Sequence, residues 1–142
     1  MEKKYTLEPS DKPGLFRIRA LRNFGTIKAG ISGGYVASER NLSHKGNCWI
    51  SEHGVVEGNA RLSGNARVSY YARVSENARV SGNAQITGCA TLKGYATVRG
   101  NIAIESQATV EGHVTLKGRG LISGKALICG SETAILSGIT IR

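Results

Sequence analysis

Every sixth residue from Ile50 to Ile128 is isoleucine, valine or leucine, fourteen positions in succession without a miss. Two residues before most of them stands an alanine, as at Ala60, Ala66, Ala72, Ala78, Ala84 and Ala90. Between units a Gly-Asn pair or a relative recurs, as at Gly58-Asn59, Gly64-Asn65 and Gly82-Asn83. Alanine and valine two apart share one side of an extended strand, and the residue between them, often Arg or Thr, takes the other side. Gly-Asn then breaks the strand, because both residues accept left-handed backbone angles. A helical stripe needs spacings of three and four, so a period of two within six excludes helix.

So short a strand buries nothing alone. It must be wound into a coil whose next turn lies directly above, so that inward Val and Ala stack into one continuous core. Three hexapeptides close a triangular coil of about 18 residues, with one large and one small inward residue per side. The chain therefore reads as all-β: a single-stranded left-handed parallel β-helix, or hexapeptide-repeat β-solenoid, over residues 27–142. A short N-terminal β cap occupies residues 1–26. Lys3 to Leu7 and Leu15 to Leu21 are expected to pair as a hairpin turned at Ser10-Asp11-Lys12-Pro13-Gly14.

Two places break the frame. Ala29-Gly30-Ile31-Ser32 fits the unit, but Ile31 to Ile50 is one residue more than three units, which places one extra residue in Asn41-Leu42-Ser43-His44-Lys45. Cys48-Trp49-Ile50 fits with Cys48 inward and Trp49 outside. After Ile128 the frame slips by two, and Ala134-Ile135-Leu136-Ser137-Gly138 restores the unit.

Met1-Glu2-Lys3-Lys4 has no apolar run, so neither a signal peptide nor a membrane span is expected. Cys48, Cys89 and Cys129 lack metal-ligand spacing, so no metal site is expected, and a reduced, cytoplasmic protein is the simplest reading. The net charge of +9 is spread along the chain. Arg61, Arg67, Arg73 and Arg79 all take the outward mid-strand place. An 18-residue coil stacks Arg61 on Arg79 and puts Arg67 and Arg73 on the other two faces. This belt is the candidate anion-binding surface, though a belt suits nucleic-acid tracking less well than a stripe. Further on, the outward place turns to threonine and then to Leu121 and Leu127. Two exposed leucines on the last full coil, with Ile139 and Ile141 beyond, suggest a contact surface and a homo-oligomer.

The stretch Ile27-Lys28-Ala29-Gly30-Ile31-Ser32-Gly33-Gly34-Tyr35-Val36, followed by Asn41-Leu42-Ser43 and Gly46-Asn47-Cys48-Trp49-Ile50, resembles the YdcK-like β-solenoid family. The resemblance covers the whole layout, with residues 27–50 its specific part. It implies a bacterial or phage origin and kinship with the left-handed helices typified by acyltransferases, whose members are often labelled as transferases. It supplies no catalytic residues.

Stepping eighteen residues traces the corners. One column runs Asn47, Asn65, Asn83, Asn101 and reads as a structural asparagine ladder. A second contains Tyr95 and His113, and the third, least regular, runs His53, Tyr71, Cys89, Gln107 and Lys125. An acyltransferase would need a histidine base, for which His113 and His53 are the in-frame candidates, and a slot for acyl-coenzyme A. Between Ile50 and Ile128 no insertion supplies a loop for such a slot. The sequence thus favours a noncatalytic scaffold or protein-interaction module, without cofactor, that binds itself or another protein. The alternatives are a coenzyme A-dependent acyltransferase-like enzyme and a basic nucleic-acid-binding solenoid.

Overall fold

The structure is a computed structural model that describes residues 3–142. Its repeating strands follow from the period: Arg67-Val68, Arg73-Val74 and Arg79-Val80 are each two residues long, separated by turns. All are parallel to the strand of the next coil, and Val56 pairs with Val74, eighteen residues on. The architecture is all-β, a parallel β-solenoid of stacked 18-residue coils. Its axis is filled by the inward residues: Ala66, Val68, Ala72, Val74, Ala78 and Val80 are fully buried, as are their equivalents through Val110.

Three faces result, and their outward ladders match the sequence expectation. The first carries Tyr35, Val55, Arg73, Thr91, Thr109 and Leu127. The second carries Trp49, Arg67, Gln85, Ala103 and Leu121. The third carries Arg61, Arg79, Thr97, Thr115 and Thr133. At the corner joining the third face to the second, glycines stack on glycines. A Cβ at Gly100 would lie 2.5 Å from the Gly118 carbonyl oxygen, and Gly100 has a φ of 84°. Glycine, not asparagine, takes the left-handed angle at these corners. The asparagines beside them bond along the column: Asn65 Nδ2 donates to Asn83 Oδ1 at 3.2 Å, and Asn47 N to Asn65 Oδ1 at 3.3 Å.

The N-terminal hairpin forms as expected. Strand β1 (Tyr5–Pro9) runs antiparallel to β2 (Phe16–Ala20), with Tyr5 opposite Ala20. Strand β3 (Ser32–Val36) then pairs antiparallel with β2 on one side and parallel with Val55-Val56 on the other. The hairpin is thus continuous with the first face.

Four expectations need correction. Ile31 is not an inward residue; it is 48% exposed, and Val36 occupies that place by pairing with Val56. The first coil consequently has two extra residues, since Leu42 lies over Leu62, twenty residues on, while Ile50 lies over Val68, eighteen on. Trp49 stands on the outward side, opposite Arg67, yet it is buried because Phe24 and Tyr5 fold over it, with ring centroids at 5.3 and 6.5 Å. After Ile128 the register does not slip by two. Thr133 to Ser137 still pair with Thr115 to Arg119, eighteen residues back, and one residue, Gly138, bulges out before Ile139 meets Gly120. There the corner opens into long strands, Thr115–Ile122 against Thr133–Ile141, so Ala134 and not Leu136 takes the ladder place above Leu116.

Candidate functional site

The most elaborate side-chain chemistry lies at the start of the first coil. A coil normally receives its hydrogen bonds from the rung before, as Trp49 N donates to Ala66 O. The first rung has no predecessor, so side chains supply the donors. Lys4 is fully buried, and its Nζ donates to Cys48 O at 2.8 Å, Gly46 O at 3.3 Å and Cys48 Sγ at 3.4 Å. Its three donors are thereby used, and the Phe24 ring centroid lies 4.9 Å away. Asn41 is buried too, and its Nδ2 donates to Ala60 O at 2.8 Å and Gly58 O at 3.2 Å. Its Oδ1 accepts from Ala37 N and Ser38 N, both at 2.9 Å, closing the short 3-10 turn Glu39–Asn41. The Tyr5 hydroxyl donates to Leu42 O at 2.5 Å.

Around this plug, His44 stacks on Tyr5 with centroids 4.1 Å apart. His44 Nδ1 accepts from Lys4 N at 3.1 Å, which leaves Nε2 to carry the proton toward Glu39 Oε1 at 3.2 Å. The hydrogen bond from Lys3, assisted by His44, holds the Glu39 carboxyl below the usual glutamate range. Burial lowers the Lys4 amine and raises the Tyr5 phenol, the latter also under the influence of Glu39. The Lys4 amine, the Asn41 amide, the Tyr5 hydroxyl and both ring nitrogens of His44 are engaged in these contacts, which plug the first rung.

The corner candidates fall into two separate places. His53 stacks on Tyr71 at 4.8 Å between centroids, on the corner joining second and first faces. Tyr95 stacks on His113 at 4.6 Å with the rings 5° from parallel, on the corner joining first and third faces. Both pairs lie at the surface, on adjacent coils of a parallel ladder that spaces them by about 4.8 Å. Cys89 and Lys125 are exposed further along the His53 corner and lie beside Gly88, Ser106, Gln107 and Gly124. At that corner Glu52, Tyr70 and Ser106 take left-handed φ angles of 58–60° without being glycine. Cys89, Ser106, Gln107 and Lys125 border an open cleft of about 420 Å³ there. The structure brings together neither His53 with His113 nor either of them with the arginines.

The arginine belt resolves into unequal parts. Arg73 Nη1 lies 3.3 Å from Glu57 Oε2 and is neutralised. Arg67 lies beneath Trp49, in an open cleft of about 490 Å³ with Thr26, Ser51, Tyr70 and Gln85. Arg61 and Arg79 stack on the third face and share a cleft of about 310 Å³ with Arg40 and Asn59. Arg40 was missed by the sequence reading, because the twenty-residue first coil breaks the eighteen-residue step.

At the other end, Leu127 is 61% exposed and Ile139 49%, but Leu121 is half-buried beside Thr140, and Ile141 packs on the core. Ile135, also missed, is the most exposed large apolar residue among the described residues, at 67%. Among the described residues, no three His, Cys, Asp or Glu side chains are grouped to hold a metal, and no helix is long and apolar enough to cross a membrane. The chain matches no protein-family model, and a search of curated proteins finds no match.

Proposed function

We propose that this chain is a noncatalytic β-solenoid scaffold that pairs with a second copy of itself through the strand Thr133–Ile141. The observation that carries the reading is the contrast between the two ends of the coil. The first rung is sealed by Lys4, Asn41 and Tyr5. The strand Thr133–Ile141 pairs with Thr115–Ile122 on one side and has no strand on its other side among the described residues. It is nine residues long, has no charge and no proline, and exposes Ile135 and Ile139. Exposed strand edges are normally blunted by charge, proline or brevity, and this one has none of these.

The occupant follows from the strand's own symmetry. Two copies pairing antiparallel about Ser137 place Glu132 of each beside Arg142 of the other, and each supplies the hydrogen bonds the other lacks. Leu127, on the first face of the last coil, would border the contact. The reading includes membership of the YdcK-like solenoids. It is supported by the way that resemblance's glycine pair packs: a Cβ on Gly33 would lie 2.7 Å from the Trp49 ring, and one on Gly34 2.5 Å from Ile50 Cγ2. The residues of the motif thus act as one packed junction.

Light scattering coupled to size-exclusion chromatography tests the proposal. The unmodified chain should run as a dimer, and Ser137→Pro or Ile135→Lys should give a monomer with an unchanged circular dichroism spectrum. A monomeric unmodified chain at high micromolar concentration would overturn it.

A further inference from the structure

We infer that the third face, at its first coils, is a binding site for the diphosphate group of a small organic diphosphate, held by Arg40, Arg61 and Arg79. The inference goes beyond the scaffold reading and does not depend on it. Arg61 lies directly over Arg79 in the parallel ladder, one rung or about 4.8 Å away. Arg40 stands on the rung before, and its carbonyl oxygen accepts from Arg61 Nε at 3.4 Å, which turns the Arg61 side chain toward it. Three exposed guanidinium groups therefore rise along one edge of the solenoid, around a cleft of about 310 Å³ that Asn59 completes.

Like charges on adjacent rungs repel, and other cations of this chain are met by carboxylates. Arg73 has Glu57 and Lys93 has Glu111, at 3.3 and 3.6 Å. On the third face the neighbouring carboxylates are turned elsewhere. Glu39 is held by Lys3 and His44, Glu57 by Arg73, and Glu76 accepts from Gly94 N. Among the described residues no carboxylate comes within ion-pair distance of Arg40, Arg61 or Arg79. An anion is what the arrangement lacks.

The geometry selects the class of anion. Guanidinium groups offer planar pairs of N–H donors that match phosphate oxygens. A single phosphate meets one pair of adjacent rungs, whereas two linked phosphates meet all three arginines. The ladder continues as Thr97, Thr115 and Thr133, so no further arginine stacks on Arg79 at this place, and the next cations of the face, Arg99 and Lys117, stand two residues along the strand. The rest of the molecule has room in the adjoining cleft of about 450 Å³. That cleft shares Arg40 and Arg61 and is lined further by Ser43, His44, Lys45 and Glu39, whose carboxylate is held by Lys3 and His44.

Isothermal titration of the full chain with inorganic diphosphate, orthophosphate and a double-stranded oligonucleotide at low salt tests the inference. Diphosphate should bind with one site per chain and more tightly than orthophosphate. Arg61→Gln and Arg79→Gln should each weaken it roughly tenfold or more, and Arg79→Lys should weaken it although the charge is kept. Arg73→Gln, already neutralised in the unmodified chain, should leave binding unchanged. Equal weakening by Arg73→Gln, or no heat with diphosphate, would overturn the site. So would an oligonucleotide that binds more tightly and loses affinity equally with Arg67→Gln, an outcome that would assign the arginines to nucleic acid.

Discussion

The Lys4 amine lies 2.8 Å from the carbonyl oxygen of Cys48, in a pocket from which water is excluded. The two residues are 44 positions apart, and the bond replaces one that an earlier rung would have made. A solenoid rung is a row of unpaired carbonyls unless something covers it. Here a charged side chain does so in place of a backbone.

Lys4→Met keeps the volume of the side chain but leaves the carbonyls of Gly46 and Cys48 without their donor, so stability should fall by about 1–3 kcal/mol. The same variant should change the response to alkali. Burial lowers the Lys4 pKa below its ordinary 10.5, so between that lowered value and 10.5 the unfolded chain binds more protons than the folded one. Stability therefore rises with pH across this window, while below it both states are protonated and the full cost of burial persists. Tyr5 works in the opposite sense, since its raised pKa makes stability fall above its ordinary value of 10.0. Urea unfolding at rising alkaline pH, kept below the ordinary tyrosine value of 10.0 and run in parallel on Lys4→Met so that the cysteines cancel, follows the lysine. The unmodified chain should gain stability across this range relative to Lys4→Met, and parallel profiles would show that Lys4 is not the buried cation.

Asn41→Ala should be among the costliest single changes in the chain. The side chain accepts from two backbone N–H groups of the turn that starts the first coil and donates to two carbonyls of the next one. Removing it strands these groups and opens a cavity, for an expected loss of about 3 kcal/mol. Asn41→Asp keeps the acceptor but sets a carboxylate against Gly58 O and Ala60 O, so it should not rescue. Thermal unfolding of the two variants beside Asn59→Ala, an exposed corner asparagine, measures the difference.

The uneven legibility of this sequence has a physical cause. Each inward Val or Ala sees neighbours at a fixed step of eighteen, so Val56 on Val74 or Arg61 on Arg79 could be read from spacing alone. The plug could not, because Lys4 and Cys48 belong to no common period, and a lysine beside a hairpin ordinarily faces water. Arg40 was hidden for a related reason. Eighteen back from Arg61 is Ser43, but the two extra residues before Ile50 put Arg40-Asn41-Leu42 on that rung. Asn41 and Leu42, the latter two places ahead of His44, where the period calls for an aliphatic residue, were the available signal. Leu121 was misjudged because the strand Thr133–Ile141 continues past the corner and covers it in part.

The glycines of two different corners should tolerate substitution very unequally. A Cβ at Gly100 would stand 2.5 Å from Gly118 O and 2.9 Å from Gly118 N, both backbone atoms locked in the next rung. Gly100→Ala must therefore push two coils apart as well as strain a left-handed residue, and it should cost about 3 kcal/mol or more. At Gly130 nothing lies within 4 Å of the added carbon, so Gly130→Ala carries only backbone strain, about 1–2 kcal/mol. Denaturant midpoints compare the two directly, and equal losses would mean that the stacked corner does not hold the coils in register.

The Tyr95–His113 pair provides the sharpest test of the noncatalytic reading. The rings are stacked 4.6 Å apart and 5° from parallel, at an exposed corner. A general base must reach the proton it removes within a site that holds the acceptor; neither His113 nor His53 lines the clefts beside Arg61, and the histidine that does, His44, has Nδ1 bound to Lys4 N and Nε2 to Glu39. His113→Ala should then lower stability by about 1 kcal/mol or less, the worth of an exposed aromatic stack. With acetyl-coenzyme A and a panel of hydroxyl and amine acceptors, thiol release should stay at the uncatalysed rate for both the unmodified chain and the variant. Thiol release that depends on an acceptor and disappears with His113→Ala would make the corner a catalytic site. The scaffold reading would then fail even if the chain dimerised, because assembly through Thr133–Ile141 and chemistry at His113 occupy different parts of the solenoid.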